Sequence, residues 1–451
     1  MTTTGLAAPR LYFAMFAVSI GSLVVMTDAS IAAVAVPTIA RAFNATDASV
    51  VALVTAYQLV LAMTIMAFSA LGDRIGQRRL YRLGLLAFAL SSGLCFLANS
   101  LPALLAIRTL QALSTAAALS VTFGLVRAIY PPQQLGRGLG LNTLASASGG
   151  ALAPAIGGLI LSVASWRWIF VIGAPLAIAS LLAGRALPTI ATREEPFDTV
   201  GAGLCAATFG LVIFGLESLV QRAPAWLAGG LLLLGGLAGV LFVAHARRQA
   251  HPVLPIDLLS RFPFALAVAG AVAGVIGSTI LLISLPFRLQ TMFGLGPAES
   301  GAMVAPYAVA SLMVAPVAGI LSDRIPPKLL GGFGLAIASV ALLLLAFPPA
   351  HPRYLDIAWR TWLCGAGFAL FLSPNARIIL GSVPPPRAAA AGGLITTARM
   401  IGQALGATIF AGLLALHGGG GAAPALTGVA FSAVAAVCGL SAPRRSKSSW
   451  A

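Results

Sequence analysis

Residues 11–37 read LYFAMFAVSIGSLVVMTDASIAAVAVP, 27 residues with a single side chain that is charged at neutral pH, Asp28. A helix of that length rises about 40 Å, enough to cross the roughly 30 Å hydrocarbon layer of a bilayer. Thirteen similar stretches follow. The spans expected from hydropathy are 11–37, 48–71, 80–98, 101–126, 138–163, 167–187, 199–219, 226–244, 263–290, 299–321, 329–348, 356–381, 388–416 and 424–440. In hydrocarbon each backbone polar group must be satisfied internally, and runs this long and continuously apolar suit helices rather than the alternating strands of a barrel. The predicted fold class is all-α: a polytopic membrane protein with 14 transmembrane helices. The first stretch is too long for a cleaved leader and lacks a small-residue cleavage site after a short apolar core, so it is expected to remain as an anchor.

Composition agrees: 59% of the 451 residues are hydrophobic, 8% are charged and the mean hydropathy is +0.98. Soluble domains do not have this balance. The net charge of +16 does not point to nucleic acid, because Lys and Arg sit in ones to fours between spans. One side receives Arg10, Arg74, Arg78, Arg79, Arg82, Arg127, Arg137, Arg185, Arg193, Arg247, Arg248, Arg261, Arg324, Lys328, Arg387, Arg444, Arg445 and Lys447; the other receives Arg41, Arg167, Arg222, Arg353 and Arg360. The positive-inside rule makes the rich side cytoplasmic, with both termini inside and an even span number, which twelve or fourteen satisfies. Two lysines against 25 arginines, with abundant Gly and Ala, suit a bacterial chain and hence a bacterial inner membrane. Cys95, Cys205, Cys364 and Cys438 are isolated in apolar segments and the four histidines are scattered, so neither a disulfide nor a metal site is expected.

Gly72-Asp73-Arg74-Ile75-Gly76-Gln77-Arg78-Arg79 lies between the second and third spans, and Gly319-Ile320-Leu321-Ser322-Asp323-Arg324-Ile325 lies about 250 residues later, between the tenth and eleventh. This repetition predicts two related six-helix bundles, 1–190 and 262–440, joined through two linker helices and their loops at 191–261, with a basic tail at 441–451. Two such halves suit alternating access around a midplane site.

These motifs resemble the major facilitator superfamily, and within it the fourteen-span drug:proton antiporters; the resemblance covers nearly the whole chain. It implies that the Asp-Arg loops latch the cytoplasmic side in the outward-facing state, through Asp73, Arg74 and Arg78 in one copy and Asp323 and Arg324 in the other. The first copy has Ser69 where the family usually has Gly. The second has Pro326 and Pro327 where a Gly and a basic residue are common. In the fifth span, Gly149-Gly150-Ala151-Leu152-Ala153-Pro154-Ala155-Ile156-Gly157-Gly158 resembles the antiporter motif, with Ala153 replacing a Gly. Its Gly149, Gly157 and Gly158 permit close helix approach and Pro154 permits a kink. Trp166-Arg167-Trp168-Ile169-Phe170, Pro196-Phe197-Asp198-Thr199-Val200-Gly201 and the segment around Arg399 also look like this family and favour fourteen spans over twelve.

Ionisable groups inside spans are costly and therefore informative. Of eleven acidic residues, Asp28 alone lies deep in a span, where a carboxylate can take up and release a proton or attract a cationic substrate. The resemblance places it in a first-helix motif that includes Pro37, with Ala33 replacing Asn. Local capping near a membrane face is the alternative role. Arg108 and Gln111 resemble an Arg-x-x-Gln-Gly motif of the fourth span, with Ala112 replacing Gly; Arg108 either holds a carboxylate ionised or snorkels to the interface. Tyr57, Gln58, Gln111, Phe287, Arg288, Gln290, Asn375 and Arg399 are candidates to line a cavity, with ordinary packing as the alternative for each. Pumps for dications in the family that the chain resembles often have extra membrane acids in the C-terminal half; here no acid lies deep in those spans, which offer Arg288, Arg377 and Arg399 instead, so the resemblance implies substrates that are monocationic, neutral or anionic rather than strictly dicationic.

The expected function is proton-coupled antiport exporting lipophilic small molecules, or multidrug efflux. The expected partners are that substrate, protons and membrane lipids, with the chain acting as a monomer and without nucleic acid. No phosphate-binding loop or nucleotide domain is visible, and no cofactor or enzymatic activity is expected. Two readings stay open beside it: a major facilitator exporter of a specific metabolite or amphiphilic anion such as a sugar or lipid-like compound, and a membrane receptor or scaffold that does not transport.

Overall fold

The computed structural model describes residues 6–45, 47–192, 197–220, 223–249, 262–295, 297–349, 353–383, 388–417 and 421–441. Arg193, Pro196, Arg222, Arg261, Arg387 and the basic tail lie outside the described residues, as do the side chains of Ala33, Pro37, Pro154 and Glu217.

Among the described residues every regular element is helical. In chain order these are α1 (Ala8–Phe43), α2 (Asp47–Ile75), α3 (Gln77–Phe96), α4 (Leu101–Ser120), α5 (Thr122–Ile129), α6 (Leu135–Val163), α7 (Trp168–Val171), α8 (Gly173–Ala183), α9 (Thr199–Val220), α10 (Ala225–Ala246), α11 (Phe262–Phe293), α12 (Pro297–Arg324), α13 (Pro327–Ala346), α14 (Tyr354–Gly381), α15 (Ala388–His417) and α16 (Ala423–Ser441). Thirteen segments of these are long and apolar enough to cross a membrane. The 29-residue α6 coincides with the remaining expected span. Two expected spans are each built from two helices, α4 with α5 and α7 with α8; the breaks fall at Val121 and Ile172.

Local chemistry sets the ends. Ser100 caps α4 by accepting from the backbone N–H of Ala103 (3.3 Å). Asn44 closes α1 in the left-handed region at φ 50°, where asparagine is tolerated. At the start of α14 the backbone N–H of Arg353 donates to Asp356 (2.9 Å).

The chain divides into two compact units, Met1–Leu254 with Val383–Thr397, and Pro255–Ser382 with Ala398–Ala451. In the first unit α2 and α3 both pack on α4, and α8 packs on α1 and α3. In the second, α12 and α13 both pack on α14, and α16 packs on α11 and α13. The helix pairing of one half therefore recurs in the other, as the repeated Asp-Arg loops suggest. The extra helices α9 and α10 pair with each other, and α9 lies on α2.

Ile31, Leu53, Leu104, Trp166 and Phe170 form a core in the first unit; Leu281, Leu335, Leu342, Phe368 and Phe371 form one in the second. Large apolar side chains such as Leu90, Leu233 and Val434 are exposed. Lipid covers such faces in a membrane protein, whereas water would penalise them.

Candidate functional site

The first unit brings Asp28 of α1 and Arg108 of α4 together, 80 residues apart in the chain. Arg108 Nη1 donates to both carboxylate oxygens, at 3.0 Å to Oδ1 and 2.8 Å to Oδ2. The pair is buried, with Arg108 1% and Asp28 4% exposed, so Arg108 does not snorkel. Nη1 also donates to Gln111 Oε1 (2.6 Å), while Gln111 Nε2 donates to Asp28 Oδ1 (3.3 Å) and to Ser92 Oγ of α3 (2.9 Å). Arg108 and Gln111 are three residues apart and so share one face of α4.

Nε and Nη2 of Arg108 have no hydrogen-bond partner among the described residues. They are offset by aromatic faces: the guanidinium lies 4.3 Å from the Tyr57 ring centroid and 5.1 Å from that of Phe170. A desolvated cation over a ring gains about 2 kcal/mol or more. The Tyr57 hydroxyl in turn bonds Thr115 of α4 (2.8 Å). Asp28, Tyr57, Ser92, Arg108, Gln111 and Phe170 thus make one buried cluster drawn from α1, α2, α3, α4 and α7. Removing one member of a buried pair costs about 3–5 kcal/mol because the other charge is stranded.

The glycine-rich α6 packs beside this site. At Gly149 a Cβ would overlap the backbone of Leu23 and crowd Thr27 of α1, and the Thr27 hydroxyl donates to the Gly149 carbonyl (3.2 Å). One turn earlier on α1, Ser22 donates to Asn142 (2.7 Å). Gly157 is buried, whereas Gly158 is exposed with open space where a Cβ would stand.

The other sequence candidates scatter. Gln58 and Gln290 are exposed and Arg399 is half-buried. Phe287 packs edge-on against Phe410 at 6.0 Å. Asn375 Nδ2 donates to the Ala267 carbonyl (3.1 Å), joining α14 to α11. Arg288 Nη1 donates to the carbonyls of Leu345 and Ala346, both at 3.0 Å, and so holds the C-terminal end of α13. The Asp-Arg motifs, expected as loops, fall on helix ends, Asp73 and Arg74 in the last turn of α2 and Asp323 and Arg324 in the last turn of α12: Gln77 donates to Asp73 (3.0 Å), Arg78 donates to the Arg185 carbonyl (2.9 Å), and Arg74 and Arg324 are exposed. Asp323 forms an ion pair with Arg377 of α14 at 2.9 Å. Arg167 donates to the Ala98 carbonyl at the end of α3 (3.0 Å). Asp198 accepts from the Gly201 N–H at the start of α9 (2.8 Å) and meets His245 of α10 at 2.9 Å, which fastens the extra helices together. No group of His, Cys, Asp and Glu among the described residues is arranged to hold a metal.

Helices of membrane-spanning length, paired alike in two halves and carrying a buried ion pair in the first, define a multi-pass membrane transporter of the repeated-bundle class. The chain belongs to the major facilitator superfamily: the sequence model of that family matches residues 18–406 and 266–450. The chain is 40% identical to the uncharacterized transporter YebQ of Escherichia coli (strain K12), over 96% of both chains. It is 30% identical to the tetracenomycin C resistance and export protein of Streptomyces glaucescens, over 89% of this chain and 75% of that protein. In fold it resembles the proton:xylose symporter XylE, with a TM-score of 0.66 at 16% identity over 96% of this chain and 95% of that one.

Proposed function

We propose that this transporter is a proton-coupled antiporter that exports lipophilic small molecules across a bacterial inner membrane, with both termini cytoplasmic and the monomer as the working unit. The observation that carries the reading is the buried Asp28–Arg108 pair. Asp28 ionised is held by Arg108 and Gln111. A proton arriving at Asp28 removes the negative charge, leaves Arg108 to the rings of Tyr57 and Phe170, and loosens the attachment of α1 to α4. Proton release restores the pair. Alternation between these states couples proton entry to exchange of access, and the tight α1–α6 contact at Gly149 makes those helices move as one. The Asp73 and Asp323 motifs act as the cytoplasmic latch, and Asp323 is held within its own unit by Arg377.

Relatives named for resistance and export, including the tetracenomycin C protein, support an exported lipophile. A specifically anionic substrate is less well supported, because Arg288 holds a helix end and Arg377 pairs with Asp323. The experiment is uptake into inside-out vesicles of a panel of cationic, neutral and anionic lipophiles, with and without an imposed proton gradient. Gradient-dependent uptake of cationic or neutral members is expected. Uptake indifferent to the gradient contradicts antiport, and uptake confined to anions contradicts the substrate class.

A further inference from the structure

The start of α3 gathers positive charge that the transport site does not use. Arg78, Arg79 and Arg82 stand within six residues of its beginning, where unpaired backbone N–H groups already carry partial positive charge. The first turn holds no acidic residue, and Gly76 offers no capping side chain. Arg82 neighbours both other arginines on the helix surface, so the three repel one another.

These arginines line a cleft of about 420 Å3 whose remaining walls include Leu83, Leu86, Leu181 and Ile190. Among the described lining residues there is no carboxylate. Arg78 spends one nitrogen on the Arg185 carbonyl. Arg82 Nε is buried without a hydrogen-bond partner, and Arg79 is exposed. A second feature continues from the cleft: Leu83 (48% exposed), Leu86, Leu90 (63%) and Leu94 follow one another at helical spacing up the outer face of α3. The site is therefore amphipathic, a cationic mouth leading onto an apolar track.

We propose that this cleft binds the phosphate headgroup of an anionic phospholipid whose acyl chain lies along Leu83, Leu86, Leu90 and Leu94. Planar guanidinium forks match phosphate oxygens, and each basic residue near an anionic membrane surface contributes roughly a fivefold factor in affinity. A soluble phosphate satisfies the arginines but leaves the leucine track unused, so the occupant is a lipid. Bound there, it neutralises the α3 start and ties the Asp73 loop to the leaflet beside it.

The test is native mass spectrometry of the full chain in neutral detergent, titrated with palmitoyl-oleoyl phosphatidylglycerol. The wild type should retain one phosphatidylglycerol about 25-fold more tightly than Arg79→Gln/Arg82→Gln, and Arg247→Gln/Arg248→Gln, exposed arginines elsewhere, should match the wild type. Arg79→Gln alone should weaken retention about fivefold, which covers the case in which the double variant loses its native melting profile. Palmitoyl-oleoyl phosphatidylcholine and soluble glycerol phosphate should not displace the bound lipid. Equal retention by wild type and both cleft variants overturns the proposal, as does phosphatidylcholine bound equally well. Displacement by glycerol phosphate would assign a soluble anion instead. Glu194 and Glu195 follow Thr192 of the cleft wall in the chain and lie outside the described residues. Phosphatidylglycerol retained only by Glu194→Gln/Glu195→Gln would show the arginines to be neutralised internally and would also overturn the proposal.

Discussion

Arg108 is fixed by one carboxylate, one amide and two aromatic rings, so its effect on stability depends on its partner. Arg108→Gln leaves Asp28 buried without its cation, at a cost of about 3–5 kcal/mol. The double variant Asp28→Asn/Arg108→Gln removes both charges and should recover much of that loss. Thermal melting in detergent checks it: the double variant is expected to melt above Arg108→Gln, and strictly additive losses would deny that the two residues act as a pair. Arg288 makes the opposite case. Its bonds to Leu345 and Ala346 predict that Arg288→Ala lowers the melting temperature and leaves the substrate range unchanged; a shifted range would return Arg288 to the transport path. Asp28 and Arg108 were both legible in the sequence because charge inside a span is rare. Their meeting was not, since nothing local links positions 80 residues apart. Tyr57 and Gln111 read as possible cavity lining, yet they belong to the ion-pair cluster. Ser92 and Thr115 carried no signal, because a small hydroxyl in an apolar span looks like packing, and Phe170 was visible only as part of a family-like segment, not as a partner of Arg108.

Among the elements, α1 and α6 show what a glycine motif does locally. A side chain at Gly149 must displace the Leu23 backbone, whereas Gly158 faces open space. Gly149→Leu is therefore expected to abolish both folded yield and resistance, and Gly158→Leu to preserve them, measured by monodisperse elution and drug survival. Equal tolerance at the two sites would deny that this contact matters. Helix extents were well anticipated, since continuous apolar runs end where charge, Pro or Gly begins. The breaks at Val121 and Ile172 were not, because hydropathy is blind to a change of backbone inside an unbroken apolar run. The long α1 also exceeds its expected span at both ends: its limits follow backbone preference, with Pro9 in the first turn and Asn44 as a left-handed cap, rather than the hydropathy that set the expected bounds.

At the scale of the molecule, the arginine asymmetry and the repeated helix pairing carry the architecture. Asp28 lies in the first half, and the second half repeats the framework without repeating the acid. Orientation has a direct check. Cys95, Cys205 and Cys364 are buried, so in a Cys438→Ser background an impermeant maleimide should label Arg248→Cys only in inside-out vesicles and Arg353→Cys in intact cells; the reverse pattern would invert the topology. The central claim is that Asp28 couples protons to export. It is tested most directly with purified protein in liposomes holding an internal pH dye, comparing wild type with Asp28→Asn as lipophilic compounds are added. Compound-triggered proton flux in the wild type, lost in Asp28→Asn while the variant remains folded, is the predicted result. Flux unchanged by the substitution, or compound movement without flux in the wild type, would contradict it.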